Sequence, residues 1–370
     1  MYLNKLSLVN FKNYTQAEFE LSSEVNCFVG KNGAGKTNLL DAVHYMSMCK
    51  SYLNPVDRQN INFNEKFFVL QGEWFKEDKK VDIYCAVKAG SKKVFKKNKV
   101  EYEKLAHHIG LFPSVMISPY DRNLISEGSE LRRKWMDGII AQFDRGFLEN
   151  LTKYIKVVEQ RNAVLKQMGN FGFFNRESIE VWDEQLVRYG QKVYERRKEF
   201  IEDFIPVFQK YYALISASSE QVGFEYRSQL HDADFMSLIK AAERNDLRKQ
   251  YSTVGVHKDD LVFTISNHPI KKFGSQGQQK SYLTALRLAQ FEWLKEHLGV
   301  LPVLMLDDIF DKLDYDRVQR LMELVHRHEF GQVLVTDTDK DRVERIFTNI
   351  DVPFKLFEIE RNELEEVSHE

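Results

Sequence analysis

Cysteine is scarce in this sequence, which has only three, at Cys27, Cys49 and Cys85. They are far apart along the chain, form no CxxC pair and are odd in number. A disulfide scaffold requires paired cysteines and a zinc ribbon requires paired CxxC motifs, so both classes are disfavoured. Free thiols fit a reducing compartment, and we therefore expect a cytoplasmic protein.

Long apolar runs are also missing. No stretch approaches the roughly 18 consecutive apolar residues that a membrane-spanning helix needs, and the longest relevant run, near 300–306, has the length of a buried strand. Residues 1–11 alternate polar and apolar side chains and lack the continuous apolar segment of a signal peptide. The sequence therefore predicts no membrane association.

The chain has no excess of one charge, because 53 lysines and arginines stand against 55 aspartates and glutamates, for a formal net charge of −2. A uniformly basic nucleic-acid-binding protein is excluded, but a local basic face is not. Lysines crowd the segment 88–104, which includes Lys92, Lys93, Lys96 and Lys97. Composition leaves two interpretations open: a solvated hairpin face, or a patch that contacts DNA phosphates.

Hydrophobic periodicity divides the 370 residues into three segments. Residues 1–110 alternate as β-strands do, with one helix from Lys36; residues 111–250 are mainly helical; and residues 251–370 alternate strands with helices. In the middle segment, 148–165 and 182–200 carry apolar residues at helical spacing and predict a short antiparallel helical hairpin. We expect the outer segments to form one α/β domain with the helical segment inserted into it.

The segment 30–37 matches the phosphate-binding pattern GxxxxGK[ST] and lies between an apolar run, Val25–Val29, and the helix from Lys36. Its glycines let backbone N–H groups face phosphate oxygens, and the helix N-terminus adds its positive dipole end. We expect Lys36 to hold the β- and γ-phosphates of ATP and the Thr37 hydroxyl to bind Mg²⁺. The predicted nucleotide-binding residues here are Gly30, Lys31, Asn32, Gly33, Ala34, Gly35, Lys36, Thr37 and Asn38.

A second apolar strand, Val303–Leu306, ends in two carboxylates, Asp307 and Asp308. Together with the phosphate loop it has the form of a Walker B motif, in which Asp307 holds Mg²⁺. Asp308 is the candidate catalytic base or water-orienting residue, and Lys36 acts with it. About 270 positions separate Lys36 from Asp307, so a large insertion divides the nucleotide site.

Ser275, Gly277 and Gln278 belong to a Ser-x-Gly-Gln segment that leads into a helix ahead of this strand. Alone it would indicate a helix cap, but at this place it resembles the signature motif of ABC ATPases. There, the serine and the helix N-terminus bind the γ-phosphate of a nucleotide held by the other protomer. Residues 311–314 follow at the position of the D-loop. The order of the four motifs predicts an ABC-type P-loop ATPase head.

The chain also resembles the RecF family of recombination mediators, bacterial relatives of the SMC and Rad50 heads, nearly from end to end. Besides the nucleotide motifs, the resemblance rests on the segments Asn10–Tyr14, Ile117–Asp137, Gln160–Lys166 and Gly255–Leu261. Lys12 and Asn13, in the first of these, are further candidate nucleotide-binding residues. Glu130 replaces an expected proline and residues 311 and 312 alter the D-loop, but no phosphate or metal ligand is lost.

The resemblance implies an ATP-dependent DNA-binding protein of recombinational repair that acts at single-strand gaps and ss/ds junctions. It implies an ATP-dependent homodimer that works with RecR and RecO to load RecA. Arg132 and Arg133 are candidate DNA-binding residues, with the alternative that they brace the interface between lobes through carboxylates such as Asp137.

Two departures from transporter ATPases predict slow turnover, with ATP as a dimerisation switch and weak, DNA-stimulated hydrolysis. The second acid is Asp308, one methylene shorter than the usual glutamate, and Thr336 and Asp337 stand where a switch histidine is expected. Two other functions stay open: an SMC-like chromosome-organising head, for which the helical hairpin is short, and a transporter ATP-binding subunit, which the missing histidine disfavours.

Overall fold

The computed structural model describes residues 1–171, 176–216, 220–310, 315–326, 330–360 and 363–367. Its strands are β1 Tyr2–Phe11, β2 Tyr14–Glu20, β3 Val25–Val29, β4 Phe67–Lys76, β5 Lys79–Lys88, β6 Val94–Lys97, β7 Val100–Glu101, β8 Ser114–Ile117, β9 Val222–Arg227, β10 Asp260–Ile265, β11 His268–Pro269, β12 Val303–Leu306, β13 Val333–Asp337, β14 Phe354–Glu360 and β15 Glu363–Val367. Its helices are α1 Lys36–Met48, α2 Arg122–Ser126, α3 Ser129–Phe143, α4 Arg145–Phe171, α5 Arg176–Ser216, α6 Phe235–Lys249, α7 Ile270–Phe273, α8 Gln276–Leu298, α9 Tyr315–His326 and α10 Lys340–Asn349.

The chain divides into two compact units. Unit 1 comprises Met1–Arg122, Tyr211–Ser218 and Gln276–Glu370, and unit 2 comprises Asn123–Lys210 and Ser219–Ser275. The sequence analysis predicted domain boundaries at 110/111 and 250/251, whereas the units change at 122/123, 210/211, 218/219 and 275/276. Strand periodicity continues through β8, and the three-stranded sheet of unit 2 has strand periodicity of its own. A boundary drawn where the period changes therefore differs from those at 122/123 and 275/276.

A mixed six-stranded sheet in unit 1 has the strand order β15-β14-β3-β13-β12-β8, in which the neighbours from β14 to β8 are parallel. Strands β3, β8, β12 and β13 are buried along their whole length, as parallel strands covered on both faces are. Continuous apolar runs such as Val303–Leu306 therefore satisfy both sides of the sheet. The carboxyl ends of these parallel strands meet at one edge.

An antiparallel sheet, also in unit 1, has the order β2-β1-β4-β5-β6-β7. Its inward residues alternate along each strand, for example Leu6 and Leu8 of β1, both fully buried. They pack with Leu39, Val43 and Tyr45 of α1 in one hydrophobic core. This core holds the helix that follows the phosphate loop.

Unit 2 combines helices α3, α4, α6 and α7, and α5 as far as Lys210, with a three-stranded antiparallel sheet, β11-β10-β9. An aromatic cluster forms part of its core: the Trp135 ring lies 5.8 Å from Phe204 and 6.1 Å from Phe263, centroid to centroid. The predicted hairpin corresponds to α4 and α5, of 27 and 41 residues. In the part of the chain described here, no helix is both long and apolar enough to span a bilayer.

Candidate nucleotide-binding site

The phosphate loop connects the end of β3 to the start of α1 in unit 1. Gly33 has φ 83° and Gly35 has φ 120°, both in the left-handed region that side chains disfavour. A Cβ at Gly35 would also lie 2.5 Å from Nδ2 of Asn13. Glycine is therefore required at position 35 both for backbone conformation and for space. Lys31, Asn32 and Gly33, by contrast, are exposed at the loop surface.

The Lys36 side chain folds back over this loop. Its residue is only 5% exposed, and Nζ donates to the backbone oxygens of Gly30 at 2.6 Å and Lys31 at 3.1 Å. A buried ammonium group at the N-terminus of a helix favours the binding of negative charge. The geometry therefore suits Lys36 for a phosphate ligand.

Thr37 and Asp307 lie next to each other, although 270 positions separate them in the sequence. Thr37 Oγ1 donates to Asp307 Oδ1 at 2.8 Å, and Asp307 is 2% exposed. Burial raises the pKa of Asp307 above its ordinary value, while hydrogen bonds from Thr37 and other hydroxyls oppose that rise. One hydroxyl and one carboxylate are the hard oxygen donors that Mg²⁺ takes beside nucleotide phosphates, so the residues present fit this ion.

Two residues that the sequence analysis did not place in the site also contact Asp307. Thr336 Oγ1 donates to Oδ1 at 2.9 Å, and Ser118 Oγ donates to Oδ2 at 3.1 Å. Ser118 follows β8 and Thr336 lies near the end of β13, the two parallel neighbours of β12. Ligand-binding residues concentrate at the carboxyl ends of parallel strands, and that rule could have identified both.

Asp308 has a left-handed backbone, with φ 46°. Its N–H donates to Thr336 Oγ1 at 3.0 Å, which ties this turn to β13. Aspartate adopts this region more readily than most residues, and sparsely populated conformations concentrate at functional sites. The turn sets the second carboxylate directly beside the buried Asp307.

The hairpin turn between β1 and β2 supports the phosphate loop. Asn13 Nδ2 donates to the Ala34 oxygen at 2.8 Å, and Asn38 Nδ2 donates to Asn13 Oδ1 at 2.7 Å. Lys12, by contrast, pairs with the fully buried Asp41 of α1. The Lys12 side chain therefore forms an internal ion pair, and its contact with a nucleotide stays a prediction.

The signature segment spans the boundary between the two units. Ser275 is exposed and is the last residue of unit 2, while Gly277 and Gln278 lie in the first turn of α8 in unit 1 and are half-buried. Ser275 directly precedes a 23-residue helix, and the N-terminus of a helix favours negative charge. The predicted D-loop, 311–314, lies outside the described residues.

The four lysines proposed for DNA have different surroundings. Lys92 is exposed, and Lys96 and Lys97 are half-buried on β6, with Lys96 Nζ 5.7 Å from the centroid of the Tyr84 ring. Lys93 Nζ instead pairs with Asp57 at 2.9 Å, and its side chain is 15% exposed. Lys93 is thus part of the internal structure, which sequence spacing could not indicate.

The two arginines proposed for DNA are engaged inside unit 2. Arg132 forms a two-pronged ion pair with Asp260, at 2.9 and 3.1 Å, and Arg133 donates to Ser129 Oγ at 2.8 Å. The carboxylate that Arg132 contacts is Asp260, while Asp137, the example named in the bracing alternative, pairs with Arg197 at 2.8 Å. Both guanidinium groups are therefore engaged by residues of unit 2, unlike the ammonium group of an exposed surface lysine.

Comparison with known proteins agrees with this geometry. Residues 2–360 match the family model of the RecF/RecN/SMC N terminal domain. The chain is 48% identical to the DNA replication and repair protein RecF of Flavobacterium johnsoniae, over 97% of this chain and all of that protein. It is 46% identical to RecF of Phocaeicola vulgatus, over 99% of this chain and 98% of that protein.

Two kinds of solved structure are similar to this fold. The structure of the recombination mediator protein RecF–ATP in the RecFOR pathway superposes with a TM-score of 0.90 at 26% identity, covering 99% of this chain and 98% of that one. An Smc head domain from Pyrococcus furiosus, bound to a domain of ScpA, has a TM-score of 0.55 at 16% identity, covering 100% and 96%, and shares the fold alone. The predicted α/β ABC-type ATPase head and the predicted resemblance are confirmed, and the chain belongs to the RecF family.

Proposed function

We propose that this chain binds and hydrolyses ATP with Mg²⁺, and that bound ATP controls its dimerisation on DNA during repair and replication restart. The supporting observation is the 2.8 Å hydrogen bond between Thr37 Oγ1 and Asp307 Oδ1. It joins the two halves of a divided P-loop site, and it involves the two oxygen donors that this class of site uses for the metal. A Gly-rich turn that bound no nucleotide would not require a contact with a buried carboxylate at the end of a distant strand.

Each residue of the site has a defined task in this proposal. Lys36 neutralises phosphate charge, and Thr37 and Asp307 hold Mg²⁺, which would neutralise charge that develops on the transferred phosphoryl group. Asp308 orients or deprotonates the attacking water. Asn13 keeps the phosphate loop in shape through Ala34 and Asn38.

The position of the signature segment at the start of α8 supports dimerisation. Ser275 and Gly277 of one copy would complete the γ-phosphate contacts begun by Lys36 of a second copy. ADP lacks that phosphate, so only ATP can bridge the two copies. A ligand shifts such an equilibrium only by its differential affinity, and about 4 kcal/mol corresponds to roughly a thousandfold.

DNA is the proposed macromolecular partner, recognised through phosphates by the exposed or half-buried Lys92, Lys96 and Lys97. A solved relative is described as a recombination mediator in the RecFOR pathway. We therefore propose that this chain acts in the cytoplasm at single-strand gaps and ss/ds junctions, with RecO and RecR, and supports the loading of RecA. Weak hydrolysis, stimulated by DNA, would release the dimer.

The test is the molar mass of the protein by sedimentation with ATP, with ADP and without nucleotide, each with and without gapped DNA. We expect a dimer with ATP only, and tighter DNA binding in that state. Lys36→Ala should remain monomeric under all conditions. A mass that is the same with ATP, ADP and no nucleotide would disprove the switch.

A further inference from the structure

A buried polar network in unit 1 connects α8 to the metal-binding carboxylate. Asp121, which is 2% exposed, accepts the backbone N–H of Ser118 at 3.0 Å through Oδ2. The Ser118 hydroxyl in turn donates to Asp307 Oδ2 at 3.1 Å. Asp121 therefore contacts Ser118, and Ser118 in turn contacts Asp307.

Both oxygens of Asp307 are held by named partners. Oδ1 accepts from Thr37 and Thr336, and Oδ2 accepts from Ser118. Ser118 itself is fixed because Asp121 closes a capping box with it after β8. A displacement of Asp121 would displace Ser118 and so remove the hydroxyl that donates to Asp307 Oδ2.

Arg287 of α8 holds Asp121 from the other side. Its Nη2 donates to Asp121 Oδ1 at 2.5 Å and to Tyr52 OH at 2.8 Å, and its Nη1 donates to Gln290 Oε1 at 2.7 Å. Arg287 is 6% exposed, and Tyr52 OH also donates to Asp121 Oδ1. These contacts hold the buried guanidinium group between Asp121, Tyr52 and Gln290.

Arg287 is eleven residues beyond Gln276, where α8 begins. At about 1.5 Å per residue, that is roughly 16 Å along a continuous helix. The start of the same helix carries Gly277 and Gln278 of the signature segment. A displacement of the helix start is therefore transmitted to Arg287, because a hydrogen-bonded helix moves as one body over this length.

The same network extends to the helix of the phosphate loop. The Tyr52 N–H donates to Asp41 Oδ1 at 2.6 Å, and Ser51 Oγ donates to Asp41 Oδ2 at 2.6 Å. Asp41 belongs to α1 and also holds Lys12. The phosphate-loop helix, the turn after β8 and the signature helix are thus connected through buried charges.

We propose that Asp121 is a positioning residue for Asp307, acting through Ser118, and that Arg287 makes this position depend on the signature helix α8. This inference rests on the proposed ATPase function and adds its regulation. When a second copy engages the start of α8, Arg287 transmits that engagement to Asp121 and so changes how firmly the metal-binding carboxylate is held.

The test measures metal affinity directly. Mn²⁺, as a paramagnetic substitute for Mg²⁺, is titrated by electron paramagnetic resonance into the protein with a non-hydrolysable ATP analogue. Ser118→Ala and Asp121→Asn should weaken Mn²⁺ binding about 10- to 100-fold, the range for residues that orient metal ligands. Binding of the analogue in EDTA should stay within about twofold, because the phosphate loop is untouched.

Three further variants separate a positioning role from a purely structural one. Arg287→Gln should weaken Mn²⁺ binding in the same way, and Arg287→Lys, which keeps the charge, should restore part of it. Arg161→Gln is the matched control, because Arg161 forms a buried ion pair with Asp246 at 2.6 Å in unit 2. It should lower stability to urea as Arg287→Gln does and leave Mn²⁺ affinity unchanged.

The inference is overturned if Ser118→Ala, which removes one hydroxyl and leaves every buried charge paired, binds Mn²⁺ as the wild type does. It is also overturned if Arg161→Gln weakens Mn²⁺ binding as much as Arg287→Gln does. A wild-type protein that binds no Mn²⁺ with the analogue would refute the proposed function itself, and the variants would then have nothing to modulate.

Discussion

Replacement of Lys92 and replacement of Lys93 should affect different properties of the protein. Lys93 Nζ pairs with Asp57 at 2.9 Å and donates to the Cys49 oxygen at 2.6 Å, whereas Lys92 is exposed. We compare Lys92→Ala with Lys93→Met, which keeps most of the aliphatic stem and removes the ammonium group. The first should change DNA binding, and the second should change stability.

The magnitude follows from the partners that each lysine has. A hydrogen bond to a charged group contributes about 1.5–3 kcal/mol, but Asp57 is 34% exposed and keeps its bond from Tyr45, so solvent reduces the loss. We expect Lys93→Met to lower the free energy of unfolding by about 2 kcal/mol. Lys92→Ala should stay within about 0.5 kcal/mol of the wild type.

DNA binding supplies the second measurement. Each phosphate contact contributes about −0.9 to the slope of log K against log salt concentration. Lys92→Ala should therefore flatten the slope by about 0.9 for every phosphate contact it removes, while Lys93→Met should leave it unchanged. Urea unfolding and salt titrations of binding to gapped DNA with ATP test both expectations. The reasoning fails if Lys93→Met is as stable as wild type and flattens the slope as Lys92→Ala does.

Three further perturbations have defined outcomes. Asp308→Asn should leave ATP binding intact because Asp307 still serves the metal, and should slow hydrolysis so that the ATP dimer persists; unchanged hydrolysis in a phosphate-release assay would place catalysis elsewhere. Ser275→Arg should abolish ATP-driven dimerisation in sedimentation and leave monomer ATP affinity within about twofold, since the phosphate loop is unaltered; a normal dimer would refute the signature assignment. His108 is fully buried, with Nε2 2.5 Å from the Met46 oxygen, and burial lowers its pKa to about 4. Because the unfolded chain takes up this proton near pH 6.5, stability is fully present above that pH and falls by about 1.4 kcal/mol per pH unit down to about pH 4. His108→Asn should lack that part of the pH dependence in urea unfolding at pH 7, 6 and 5, and an identical slope would contradict the buried neutral histidine.

The sequence alone determined the parts of the site that depend on neighbouring residues. A phosphate loop needs glycines at fixed offsets, a strand before it and a helix after it, and all three occupy consecutive positions from Val25 to Met48. Val303–Leu306 is a buried parallel strand because an apolar run of four residues followed by acids suits no exposed element. Those constraints are local, so spacing and residue type were sufficient to predict the α/β head.

Only the tertiary structure decided which polar side chains form ion pairs and hydrogen bonds inside the protein. Lys93 and Lys92 are indistinguishable in sequence, yet one pairs with Asp57 and the other is exposed. Lys12 likewise meets Asp41, and Ser118 meets Asp307 across 189 positions. The partner of a charge or hydroxyl depends on the pairing and packing of distant strands and helices, and burial then determines whether that charge supports the fold or remains available to a ligand.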